Sequence, residues 1–205
     1  MAAILQVPSQ DTIRRIHRIQ AITMVWMIVE ALVAVSAACI ARSPALMAFG
    51  GDSAIELLSA AVVLWRFRVH ATHEHSETRA AQVTGILLFV LAAYVVVASA
   101  ITFLGYNEPR PTYLGIAILI AAIVIMPWLA KEKRALSRAT GSGALRADAA
   151  QSALCSYLSA IALVGLVVNA IWHVAWADPL AGLAITPLIV FEGRKAIKGK
   201  PRGCC

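Results

Sequence analysis

Asp52 and Glu56 stand one helical turn apart in the apolar run FGGDSAIELLSAAVVLW, and no basic residue precedes its closing tryptophan to neutralise them. On a helix, positions i and i+4 project from one face, so the two carboxylates offer hard oxygen ligands to a single point. That is half of a divalent-cation site. Ionisable groups inside a membrane span are expensive and usually mark an ion, substrate or proton pathway. The alternative for the same pair is structural, with both carboxyls held neutral by burial or facing polar partners that fix helix packing.

A second constellation opens the segment RADAAQSALCSYLS, where Asp148, Gln151 and Cys155 are spaced three and four and so share a helical face. Carboxylate, amide oxygen and thiolate can all bind a metal. Taken alone the pattern is open, because Asp148 sits where it can cap a helix and a lone cysteine is more often a small core hydrophobe. Glu30, in WMIVEALVAV, reads either as a proton acceptor or outer ligand exchanging with the main site, or as a carboxyl making one interhelical hydrogen bond. The stretch RFRVHATHEHSETR holds His70, His73 and His75 beside Glu74 and Glu77. Neutral imidazoles there suit zinc, and a solvated loop is the other reading. Cys204 and Cys205 offer vicinal thiolates to a soft metal. Adjacent cysteines do not readily close a tetrahedral site, and their neighbours KGKPRG read as a disordered basic tail.

These residues need a bilayer to position them. The 205-residue chain is 60% hydrophobic and only 14% charged, with a mean hydropathy of +0.77, which fits no ordinary soluble fold. About 20 helical residues cross the hydrocarbon core. Charge-poor runs of roughly that length predict spans at Ile19–Ala41, Pro44–Trp65, Ala80–Leu104, Thr112–Ala130 and Ala147–Trp172. A sixth, Trp176–Phe191, is short and carries two prolines. The first run follows Arg14, Arg15 and Arg18, outlasts a signal-peptide core and is expected to be retained. The four cysteines show no disulfide spacing, so no oxidising compartment is implied.

Sixteen of the eighteen Lys and Arg residues fall before the first span, in 66–79, in 131–146 and in 194–202; Arg42 and Arg110 alone occupy the intervening loops. By the positive-inside rule this predicts six spans with both termini cytoplasmic. The net charge of +7 is then topological, favours anionic lipid headgroups, and needs no nucleic acid to explain it. The expected organisation is a cytoplasmic segment over 1–15, an all-α bundle of six transmembrane helices over 16–193, and a basic tail over 194–205.

At these segments the chain resembles the cation diffusion facilitators, six-span exporters of zinc and related metals. GGDSAIELLSA resembles their second-span motif, with Asp52 and Glu56 at the ligand positions. RADAAQSALC matches their fifth span, with Gln151 where the family has His and Cys155 where it has Asp. WADPLAGLAI and FEGRKAI resemble the sixth span, and the likeness covers about residues 16 to 198. The chain ends about fourteen residues after its last predicted span, so a short branch without the family's usual cytoplasmic domain is expected. The resemblance implies an efflux transporter, not an enzyme; the cell's inner membrane and a homodimer are expected, although regulation and dimerisation through the family's cytoplasmic domain do not carry over. Its cargo would be a divalent metal, zinc first, held by Asp52, Glu56 and Cys155 with Gln151 or Asp148 as a fourth ligand. Proton antiport is implied by the family, yet the missing fifth-span His removes the group that would titrate near neutral pH. Rival readings are a proton-coupled exporter of organic cations built on Glu30 and Trp26, a non-transporting metal-binding membrane protein, and a membrane metalloenzyme, for which one histidine cluster is too few.

Overall fold

The computed structural model describes residues 10–68, 74–106, 108–141 and 143–198. Among them are six helices and no strand: α1 Gln10–Ala41, α2 Pro44–Arg68, α3 Glu74–Phe103, α4 Tyr113–Thr140, α5 Gly143–Trp172 and α6 Ala177–Ile197. Among the described residues, four helical stretches, in α1, α3, α4 and α5, are long and apolar enough to cross a membrane. The helices outrun the hydropathy-defined spans because backbone hydrogen bonding continues past the last apolar residue. α4 goes ten residues beyond Ala130, α5 starts at Gly143 rather than Ala147, and α3 begins at Glu74 rather than Ala80.

Helix ends are closed locally. Ser43 caps α2 by accepting the Leu46 N–H at 3.0 Å, and Pro44 fills the first helical position, where no amide donor is needed. Asp178, in the first turn of α6, completes that cap: its Oδ1 accepts the Ala45 N–H at 3.2 Å and its Oδ2 the Ser43 hydroxyl. One buried carboxylate thereby ties the starts of α2 and α6 together. Thr112 caps α4, and Gly141 ends it in the left-handed region at φ 67.

Small residues let the helices approach closely, as lipid-embedded helices require. A Cβ on Gly50 would lie 2.7 Å from Ala34 Cβ and 2.9 Å from the Val35 nitrogen, so α2 meets α1 backbone to backbone. Gly85 of α3 and Gly193 of α6 do the same at the other pairing, where a Cβ on Gly85 would sit 2.8 Å from the Gly193 carbonyl. α2 and α6 are thus pinned between neighbours and also pack on each other and on α5. We call the end carrying the start of α1 and the finish of α6 the basic end.

Lys133, one of the basic residues counted in 131–146, does not lie in a solvated loop. It is wholly buried in α4, with its ammonium 2.9 Å from Asp148 Oδ1 and 2.9 Å from Ser152 Oγ on α5. Gln20 of α1 donates to the other Asp148 oxygen at 2.8 Å. The node joins α1, α4 and α5 near the basic end. Removing one partner of a buried pair strands the other, which costs about 3–5 kcal/mol when both are fully buried and less for the partly exposed Asp148. Lys133→Met is therefore expected to lower the thermal unfolding midpoint of the detergent-solubilised protein, and Lys133→Met with Asp148→Asn to recover most of the loss. A double variant no more stable than the single one would contradict the pairing.

Candidate metal site

Asp52 and Glu56 project from α2 towards Cys155 on α5, with α6 packed against both helices. One ligand atom from each of the three lies within 4.8 Å of the other two, and the Cys155 thiol faces Glu56 Oε2 at 3.9 Å. Ligands around tetrahedral zinc, at bond lengths of 2.0–2.3 Å, stand roughly 3.3–3.8 Å apart. Modest side-chain adjustment brings the triangle to that spacing.

Satisfaction of the carboxylates is the stronger observation. Asp52 is wholly buried, yet among the described residues no hydrogen-bond donor reaches either of its oxygens, and Glu56 Oε1 is likewise buried without a donor. Buried polar atoms are nearly always paired, and each orphan calls for an explanation such as an ion. Three orphaned carboxylate oxygens converging with a thiol have the chemistry of a cation site, because a cation satisfies all of them at once.

The remaining candidate residues separate clearly. Asp148 shares a face with Gln151 and Cys155 but stands apart from the cluster. Seven helical residues are about 10 Å of rise, and both its oxygens are taken by Lys133 and Gln20. Nor is it a cap, since α5 begins five residues earlier. Gln151 hydrogen-bonds to Glu192 of α6. Glu30 is wholly buried behind the site, where its two oxygens accept the Trp26 indole N–H and the Ser53 hydroxyl, each at 2.6 Å. Ser53 adjoins Asp52, so Glu30 fixes α1 against the ligand-bearing turn. His70, His73, Cys204 and Cys205 lie outside the described residues, and His75 falls in the first turn of α3 rather than in a loop. A cavity of about 390 Å³ lies near Arg42 and Tyr94, away from the cluster, and has no acidic residue in its lining.

Glu192 is the residue that sequence reasoning passed over. It comes within reach of Asp52 as well as Gln151. Two carboxylates supply each other a donor only when one holds a proton, so this contact does not satisfy an ionised Asp52. Hydropathy had closed the sixth span at Phe191, yet the spacing Ile185, Ile189, Glu192 is helical, and both isoleucines are wholly buried. That stripe was a usable signal.

Residues 21–199 match the family of the cation efflux transmembrane domain. No curated protein matches the sequence significantly.

Proposed function

The chain belongs to the cation efflux family of membrane transporters, and from that premise we propose that it exports a divalent transition metal, zinc first, by alternating access. It is an integral, multi-pass membrane protein. The observation that carries the cargo is the group of Asp52, Glu56 and Cys155 with three buried oxygens lacking partners. A borderline metal accepts two oxygens with one sulfur, and a thiol bound to it is deprotonated. Two carboxylates and a thiolate exceed the charge of a divalent cation, so binding and release are coupled to protons.

In this reading all six helices span the cell's inner membrane, the basic end faces the cytoplasm, and the working unit is a homodimer. The basic asymmetry supports the orientation. Binding at one face and release at the other follow from two access states and need no chemical step. Glu30 gives little support to organic-cation export, because both its oxygens are already engaged.

Purified protein in sealed vesicles of known orientation tests the reading. Zinc should move away from the basic face, accelerated by an opposing proton gradient, and a tag on the C-terminus should report from the entry-side, cytoplasmic compartment. Binding of zinc without any flux would sink the exporter and leave a metal-binding membrane protein.

A further inference from the structure

The cluster is walled by apolar side chains on one side and bordered by polar ones on the other. One turn towards the far end from Asp52 on α2 lies Phe49, and one turn beyond Cys155 on α5 lies Leu158. Ile185 and Ile189 cover the same side from α6, and all four are at most 1% exposed. Towards the basic end the neighbouring groups are polar and only partly buried: Glu56, Gln151 and Glu192. Lys195, one turn along α6, faces Glu192 and offsets its charge.

From this placement we infer that Glu192 is a further metal-binding residue, a third carboxylate at the basic-end mouth that takes the divalent cation and shares it with Asp52. Three observations converge. Glu192 continues the buried stripe of Ile185 and Ile189 and so faces inward. Its carboxylate reaches Asp52, whose buried oxygens have no donor. Gln151 holds it from α5, giving the amide a positioning role in place of direct ligation. A hard oxygen ligand at the mouth also adds to an oxygen-rich set that a lone cysteine softens. Because α6 carries this ligand while α2 and α5 carry the others, a cation at the mouth draws three helices together.

The inference rests on the metal-binding part of the proposed function, and equilibrium binding tests it apart from transport. Cadmium is titrated into the purified full-length protein, and its charge-transfer absorption with the Cys155 thiolate reports occupancy of the main site. Outer partners of a metal site are typically worth 10–100-fold in affinity. Glu192→Gln is expected to weaken cadmium binding about tenfold or more by that measure, while the band at saturation persists because Cys155 still ligates. Glu192→Asp, which keeps the carboxylate, should recover most of the affinity. Cadmium affinity that is unchanged in Glu192→Gln overturns the inference, as does equal weakening in Glu192→Asp and Glu192→Gln, which would mark a packing role. Absence of vesicle flux with these affinities intact counts against export alone.

Discussion

Zinc flux into vesicles is expected to fall at least about a hundredfold in Asp52→Asn and in Glu56→Gln, since removing one partner from a buried charged set costs about 3–5 kcal/mol. Both changes keep side-chain volume, so the surrounding helices need not repack. The fold should tolerate them well. In the metal-free protein the Asp52 oxygens and Glu56 Oε1 meet no hydrogen-bond donor among the described residues, and neutral amides carry a smaller burial penalty than carboxylates. The unfolding midpoint without metal should therefore stay level or rise. With metal the order reverses: a ligand at a hundred times its dissociation constant stabilises by about 2.7 kcal/mol, and the variants forfeit that gain. A structural pair would behave oppositely, losing stability without metal while sparing transport. Undiminished zinc flux in both variants would remove the central claim.

Which parts of this site could be read from the sequence depended on whether the relevant neighbours lay on one helix. Asp52 and Glu56 are four apart on α2, and the helical period alone puts them on one face. Cys155 needed the likeness to a known transporter, because nothing in its own span says which helix it meets. Asp148 shows where periodicity misleads. Its spacing to Gln151 and Cys155 is correct for a shared face, yet its partners Lys133 and Gln20 come from α4 and α1. Contacts between distant helices are invisible to a periodicity argument. The pairing of Lys133 was hidden for a related reason, since a charge count says only which side a basic residue lies on, and this one is wholly buried with a carboxylate. Glu192 was lost at a boundary, because the apolar run of the sixth span ends at Phe191 while the helix runs on to Ile197. A charged residue on the inward stripe beyond a span's apolar limit is worth keeping among candidate ligands.

Metal choice should turn on Cys155, where this chain departs most from the family pattern. The thiol is 2% exposed and faces Glu56, so a cation held by Glu56 would have the sulfur within reach. Sulfur favours softer ions, whereas carboxylate and water suit magnesium and manganese. Cys155→Asp is therefore expected to lower cadmium affinity by tenfold or more, about 1.4 kcal/mol, and to admit manganese, with zinc less affected because zinc accepts either ligand. Competition between zinc and cadmium for transport measures the shift directly. Adding Gln151→His to Cys155→Asp should complete a family-like set of two carboxylates from α2 with imidazole and carboxylate from α5. That double variant should carry zinc with still weaker competition by cadmium. Cys155→Ala separates chemistry from packing, because it removes the sulfur while leaving a small apolar group. Zinc affinity and the zinc-to-cadmium preference should both change in it. If neither does, the cysteine is filling space between α5 and α2, and the cation is held by carboxylates alone: Asp52, Glu56 and the Glu192 that reaches Asp52 from α6.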